Sequence, residues 1–305
     1  MLGSTDLTLL FYLTKETTIL NWLITLSLGL FPFLAIASQP TIKFPSVEYN
    51  VAYSKVAALS FTPADKKIDY GADPLQYALF WRANKGINVE KRKNKQQNPL
   101  VILIHGGCWL SAYDIQHTYA LSTGLAQAGF NVWSLEYRRT GDTGGGWPGT
   151  YDDVKAGILA SASYNSGEFD LAKSVLVGHS AGGHLALLAG GEMKQLKGVV
   201  GLAAITDIEE YAVGSNSCQQ VTKDFMQGMP KDKPTEYHMA NPSQQPLHVN
   251  TVILQGDKDN IVPVFDLEKL HRKVMMLDGV GHFDWIHPGS EAFSTLTQHL
   301  NGSVK

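Results

Sequence analysis

Short apolar runs alternate with longer amphipathic segments along most of this chain, and this alternation most constrains its fold. The runs predicted as strands are Leu100–Ile104, Phe130–Leu135, Ser174–Val177, Gly198–Ala203, Thr251–Gln255 and Lys273–Leu277. The segments predicted as helices are Thr118–Ala128, Pro148–Tyr164 and Ala181–Met193. Nearly continuous apolar strands are typical of parallel sheets that helices cover on both faces. The sequence therefore predicts an α/β fold with a mostly parallel central sheet and helices on both faces.

The composition excludes several classes of protein. Apolar residues make up 44% and charged residues 17% of the 305 residues, which is enough for a large buried core and unlike a disordered chain. The formal net charge of −3 leaves no basic surface for nucleic acid, so we expect no nucleic-acid partner. Two cysteines are too few for a disulfide framework or a four-cysteine zinc site.

The amino-terminal segment differs from the rest of the chain. Ile19–Ala37 has no charged residue, Lys15 stands just upstream, and the segment ends in small residues that signal peptidase accepts. We therefore expect residues 1–37 to be a signal peptide cleaved near Ala37, with export of the mature chain to the periplasm or the outside. An uncleaved membrane anchor is the alternative, since about 19 apolar residues can just span a bilayer.

The mature chain, residues 38–305, is predicted to be a single domain. Residues 207–250 interrupt the alternation of strands and helices and are rich in polar residues, glycine and proline. We expect this segment to form a small, helical, cap-like insertion over one edge of the sheet.

A serine lies at a predicted strand–helix turn in Gly178-His179-Ser180-Ala181-Gly182. The pattern is short, but an apolar strand precedes it and a helix-forming segment follows it, which is the setting of a nucleophilic serine on a tight turn. Glycines are expected on both sides because a Cβ there would collide with the neighbouring strand and helix. The helix N-terminus also favours negative charge beside the serine. The motif indicates Ser180 as a nucleophile, with an incidental serine in a glycine-rich turn as the alternative.

A serine hydroxyl needs a base, and the expected chain order after such a turn is serine, acid, histidine. Asp259 and His282 each follow a predicted strand near the carboxyl end of the chain. Open α/β sheets place their sites at the carboxyl ends of strands. We predict His282 as the base and Asp259 as the acid. Asp259 is preferred over Asp257 because it faces a Val-Pro turn, and Asp207 is a third possibility.

The loop His105-Gly106-Gly107-Cys108-Trp109 follows the first long apolar strand. A glycine pair can direct backbone N–H groups at a single point, as the oxyanion of an acyl-transfer reaction requires. The residue after the nucleophile normally supplies another donor. The predicted oxyanion hole therefore comprises the amides of Gly106, Gly107 and Ala181. Cys108 is expected to be a packed thiol, although an oxidising compartment would allow it to pair with Cys218.

Two other motifs do not support a bound cofactor. His105 has only scattered histidines as possible partners, and none is at a recognised metal-ligand spacing. Gly144–Gly149 matches a dinucleotide-binding glycine pattern, but it does not directly follow a strand. We therefore expect neither a metal nor an organic cofactor.

Taken in order, these motifs resemble those of α/β-hydrolase-fold serine esterases, and most of all the branch that includes kynurenine formamidase-like and small carboxylic-ester hydrolases. The resemblance extends from about residue 100 to residue 285. Its residues are His105–Trp109, Glu136–Arg139, Gly146–Gly149, Gly178–His184, Gly256–Asp259 and Gly281–His282. It implies hydrolysis of a small-molecule ester through an acyl-enzyme. An arylformamidase with the same triad and a non-catalytic binding module are the alternatives.

Overall fold

The computed structural model describes residues 41–84, 98–264 and 267–303. All of them lie within one compact unit, Ser38–Lys305. The apolar segment Ile19–Ala37 lies outside the described residues, so its assignment as a signal peptide or an anchor stays a prediction. Within the described ranges, no helix combines the length and apolar character needed to cross a membrane.

The described residues form one eight-stranded sheet with the spatial order β1-β2-β4-β3-β5-β6-β7-β8. The strands are β1 (Lys66–Asp69), β2 (Tyr77–Trp81), β3 (Leu100–Ile104), β4 (Asn131–Leu135), β5 (Ser174–His179), β6 (Gly198–Leu202), β7 (Thr251–Gly256) and β8 (Lys273–Leu277). The pairs β1–β2 and β2–β4 are antiparallel, and the remaining neighbours are parallel. The predicted mostly parallel sheet is therefore confirmed.

Each of the six predicted strands is present, with ends that differ by at most two residues. Strands β1 and β2, which extend the sheet as an antiparallel edge, were not predicted from the sequence. Strand β1 consists mainly of charged, exposed residues. Its backbone pairs with β2, but its sequence contains no apolar run. Such an edge strand lacks the pattern that reveals a buried one.

Helices cover both faces of the sheet. They are α1 (Tyr53–Ala57), α2 (Tyr119–Gln127), α3 (Gly149–Ser163), α4 (Ala181–Glu192), α5 (Ile208–Ala212), α6 (Ser217–Gln220), α7 (Thr222–Phe225), α8 (Pro234–Ala240) and α9 (Glu291–Ser303). Ile102 of β3 packs in the core on the side of α3 and α4, whereas Leu103 packs on the side of α2 and α9. Successive strand side chains point to opposite faces, so a strand covered on both sides must be apolar at every position.

The segment between β6 and β7 contains the short helices α5 to α8 and a 3₁₀ turn, Pro242–Gln244. Its aromatic side chains Phe225 and Tyr237 are fully buried in the core beside α4. Phe225 also packs against Trp109, which belongs to the glycine loop after β3. This segment therefore packs directly against the loop that carries the predicted oxyanion donors.

Candidate active site

Ser180 lies at the sharp turn between β5 and α4, with φ 56° and ψ −122°. Residues with side chains rarely adopt this region, so the surrounding structure must hold the turn. The Ser180 amide donates to the Leu202 carbonyl of β6 at 2.9 Å. A Cβ at Gly178 would overlap the backbone of Gly182, and one at Gly182 would overlap carbonyl oxygens at the end of β3. The predicted need for both glycines is confirmed.

His282 is held by a buried carboxylate. Its Nδ1 donates to Asp259 Oδ2 at 2.8 Å, and the two side chains are 5% and 0% exposed. Asp259 Oδ1 accepts the amides of Ile261 and Val262 at 2.9 and 2.8 Å, while Gln255 Nε2 donates to Oδ2 at 3.2 Å. Four donors thus compensate the buried charge. Because Nδ1 of His282 carries the hydrogen of this pair, Nε2 is left as the proton acceptor.

The other two candidate acids have different partners. Asp257 forms an ion pair with Lys258 at 2.8 Å and accepts the Gly279 amide at 2.6 Å, and its side chain is 33% exposed. Asp207 caps α5 by accepting the amides of Glu209 and Glu210 at 3.1 and 3.0 Å. Of the three candidates, Asp259 is the one that contacts His282.

Ser180 and His282 line the same cavity of about 210 Å³. Among the described residues, the Ser180 hydroxyl forms no hydrogen bond with His282. This is compatible with a catalytic pair, because catalytic hydrogen bonds are often long before substrate binds. A larger cavity of about 630 Å³ lies at the opposite ends of β5 to β8, and its described lining includes none of the predicted site residues. The remaining described residues of the smaller cavity are Tyr53, Gly107, Cys108, Tyr113, His117, His179, Asn216, Ser217, Cys218, Ile261 and Phe283.

The glycine loop packs against the serine turn. A Cβ at Gly106 would lie 3.0 Å from the Ser180 Cβ and 2.8 Å from the His179 carbonyl oxygen, so a larger residue would displace this turn. Gly107 lines the cavity with φ 108°. Ala181 is the first residue of α4, where amides have no partner within the helix. Among the described residues, neither the Gly107 nor the Ala181 amide donates to a protein acceptor.

Behind the glycine loop lies a buried charged network that sequence analysis did not identify. His105 Nδ1 donates to the Gly106 carbonyl at 2.7 Å, and Nε2 donates to Glu136 at 3.0 Å. Arg139 pairs with the second oxygen of Glu136 at 3.4 Å. Burial raises the pKa of Glu136, but the charge and hydrogen bond of His105, the charge of Arg139 and the Tyr137 amide together hold it below its ordinary value. The motif Glu136–Arg139 was visible in the sequence, whereas its contact with His105 depends on β3–β4 pairing.

His179 was not predicted as a site residue, yet it connects the serine turn to the histidine loop. Its Nε2 donates to the His282 carbonyl at 2.9 Å. Burial, together with the neighbouring His282, holds the pKa of His179 well below its ordinary value. Burial likewise lowers the pKa of His117, to about 3. Both side chains are therefore neutral at neutral pH.

Cys108 and Cys218 form a disulfide that joins the glycine loop to α6, with Cα atoms 5.3 Å apart. The expectation that Cys108 is a packed thiol is therefore wrong, and the alternative pairing with Cys218 holds. Sequence could not decide between these because the two cysteines are 110 residues apart. In the described part of the chain, no group of three or more histidine, cysteine, aspartate or glutamate side chains is arranged to hold a metal ion.

The sheet order, the strained serine turn and the aspartate-bound histidine at the carboxyl ends of the strands define an α/β-hydrolase fold. The BD-FAE family matches residues 87–274 of the chain. The chain belongs to the BD-FAE family.

Among curated proteins, the chain is similar to esterase LipC of Mycobacterium tuberculosis, with 32% identity over 126 residues. The match spans 41% of this chain and 29% of that protein. Among solved structures, esterase B of Lactobacillus rhamnosis aligns with a TM-score of 0.64 and 19% identity, over 82% of this chain and 89% of that one. A Pyrobaculum calidifontis esterase aligns with a TM-score of 0.60 and 18% identity, over 83% and 88%. At such low sequence identity, these two structural alignments establish a shared fold alone. These comparisons do not single out the kynurenine formamidase-like branch.

Proposed function

We propose that this protein hydrolyses small carboxylic esters through an acyl-enzyme on Ser180. The observation that carries the proposal is the cavity in which the strained Ser180 turn meets His282, whose Nδ1 is bound to the buried Asp259. This is the arrangement that an activated serine nucleophile requires. The similarity to proteins named esterases agrees with this chemistry.

In the proposed reaction, the Ser180 hydroxyl attacks the ester carbonyl carbon while His282 Nε2 accepts its proton. Asp259 keeps the hydrogen on Nδ1 and stabilises the imidazolium that forms. The amides of Gly106, Gly107 and Ala181 stabilise the oxyanion of the tetrahedral intermediate. His282 then protonates the leaving alcohol. A water molecule, deprotonated by the same nitrogen, releases the acid and restores Ser180.

The size and lining of the cavity favour a small substrate. Its volume of about 210 Å³ is below the roughly 300–1,000 Å³ of typical drug-sized ligand sites. The lining includes Cys218 and the rings of Tyr53 and Phe283, whose centroids lie 5.3 Å apart. We therefore propose short acyl groups as substrates and expect kcat/KM to fall as the acyl chain lengthens.

Turnover of p-nitrophenyl esters of increasing acyl length by the purified full chain tests this function. Ser180→Ala is expected to lower kcat by about 10⁴ or more, because the nucleophile is lost. Ser217→Ala is the matched control, since Ser217 lines the same cavity without belonging to the proposed triad. Wild-type activity in Ser180→Ala would exclude Ser180 as the nucleophile.

Two further measurements separate the alternatives from the proposal. A fluorophosphonate probe should label the wild-type protein and fail to label Ser180→Ala, and an unlabelled wild-type protein would indicate a non-catalytic binding module. Parallel kcat/KM values for p-nitrophenyl acetate and an N-aryl formamide should favour the ester. A preference for the formamide would assign the same triad to an arylformamidase.

A further inference from the structure

The glycine loop has an unusual backbone directly after Gly106. Gly107, Cys108 and Trp109 have φ angles of 108°, 54° and 58°. Glycine tolerates positive φ, whereas residues with a Cβ adopt it at an energetic cost. Two such residues in succession need contacts that hold them in place. The loop conformation that carries the proposed oxyanion donor therefore depends on anchors outside the loop.

Two such anchors come from the segment between β6 and β7, and a third is the Thr140 amide, which donates to the Trp109 carbonyl at 2.8 Å. Cys108 is joined by the disulfide to Cys218 in α6. Trp109, which is fully buried, stacks on Phe225 at the end of α7, with ring centroids 4.6 Å apart and planes 8° from parallel. The disulfide is the anchor closest in sequence to Gly107. Gly107 lines the cavity together with Ser180.

We propose that Cys218 is a positioning residue that acts through Cys108 to hold the Gly107 amide at the oxyanion, so that efficient hydrolysis requires the intact disulfide. This inference rests on the proposed function. It assigns the segment 207–250 a role in the chemical step, because this segment supplies the disulfide to Cys108 and the ring that stacks on Trp109.

Reduction provides the perturbation. A dithiol such as dithiothreitol donates two electrons and two protons, the S–S bond breaks, Cys108 and Cys218 become thiols, and the dithiol becomes a cyclic disulfide. Both cysteines line the cavity, which gives the reductant access to the bond. Cys108 then loses its covalent anchor, while the Trp109 stack remains.

The expected result is a lower kcat with little change in KM. Removing one oxyanion donor lowers the rate by about 10²–10³. In the reduced protein the Gly107 amide is still present and can still reach its position, so the loss of rate should be smaller. We expect kcat for p-nitrophenyl acetate to fall about 10- to 100-fold in the reduced protein, with KM within about 3-fold. A boronic acid that forms a tetrahedral adduct on serine should lose affinity by a similar factor, because its oxygen uses the same amides.

The experiment compares the oxidised full chain, the same protein after dithiothreitol, and the reduced protein after re-oxidation with oxidised glutathione. Thiol labelling and intact mass establish the state of both cysteines, and near-UV circular dichroism at the assay temperature monitors folding. Re-oxidation should restore kcat. The double variant Cys108→Ala/Cys218→Ala is the matched control, because it should have the low kcat with or without reductant.

Four outcomes would overturn the inference. The first two are free thiols in the untreated protein, and a folded reduced protein whose kcat stays within about 2-fold of the oxidised one. The third is a double variant with wild-type kcat. The fourth is a kcat loss that merely follows loss of the near-UV signal in both the reduced protein and the variant. The last outcome would assign the disulfide to stability alone. An oxidised wild-type protein that hydrolyses no ester would instead refute the proposed function.

Discussion

Replacing Asp259 with asparagine alters one buried side chain at nearly constant volume. Asp259 accepts four hydrogen bonds, two on each oxygen. Asparagine can keep the two bonds from Ile261 and Val262 if its carbonyl oxygen faces their amides. Its NH₂ group then faces His282 Nδ1, where the carboxylate accepted a hydrogen. Nδ1 must now accept, so the imidazole hydrogen moves to Nε2, which can no longer take the Ser180 proton.

The expected loss is large because the wrong histidine tautomer cannot act as the base. The same substitution in the best-studied serine triad lowers kcat by about 10⁴. A factor of 10⁴ corresponds to about 5 kcal/mol of transition-state stabilisation. We expect Asp259→Asn to lower kcat for p-nitrophenyl acetate by about this factor, with KM changed by less than about 3-fold, because Asp259 does not line the cavity.

The matched control is Asp257→Asn, which makes the same chemical change two residues away. Asp257 contacts Lys258 and Gly279 on the exposed side of the loop, so kcat should stay within about 2-fold of wild type. Circular dichroism of both variants checks that they are folded. The assignment of Asp259 fails if Asp259→Asn keeps more than about a tenth of the wild-type kcat, or if Asp257→Asn loses as much activity.

Three further predictions concern the scaffold of the site. Glu136→Gln removes the buried carboxylate that His105 and Arg139 share, while Arg139 keeps its ion pair with Asp142, and should lower the free energy of unfolding by about 3–5 kcal/mol in urea titrations; a loss below about 1 kcal/mol would contradict the buried network. Burial lowers the pKa of His184 from 6.5 to about 4, so the unfolded chain binds a proton there that the folded chain does not, and stability should fall as pH drops from 6.5 towards 4. Between about pH 7.5 and pH 5 this group should account for about 2 kcal/mol, measured as the part of the pH dependence that His184→Gln removes; an unchanged pH profile would refute it. Gly178→Ala should abolish soluble expression or sharply lower Tm, because its Cβ would overlap the Gly182 backbone, whereas an added Cβ at Gly302 meets open space and Gly302→Ala should leave Tm nearly unchanged; equal Tm values would show that the turn can adjust.

Features that depend on a few neighbouring residues were predictable from the sequence. The run Leu100–Ile104 had to be a strand buried on both faces, because apolar residues at five successive positions leave no polar side for water. The glycines around Ser180 likewise restrict that turn, since only hydrogen atoms fit where β5, α4 and β3 meet. The strand β1 was missed for the converse reason, because its charged residues carry no burial signal.

The sequence by itself determined the α/β class, the serine turn and a short list of partners for it, because dihedral preferences and burial patterns act over a few adjacent residues. Tertiary structure alone decided which partners meet. It brought Asp259 rather than Asp257 to His282, gave Cys108 a covalent partner 110 residues away, and placed His179 against the His282 carbonyl. These contacts depend on how strands and loops distant along the chain pack together, and no local pattern of residue types encodes such distances.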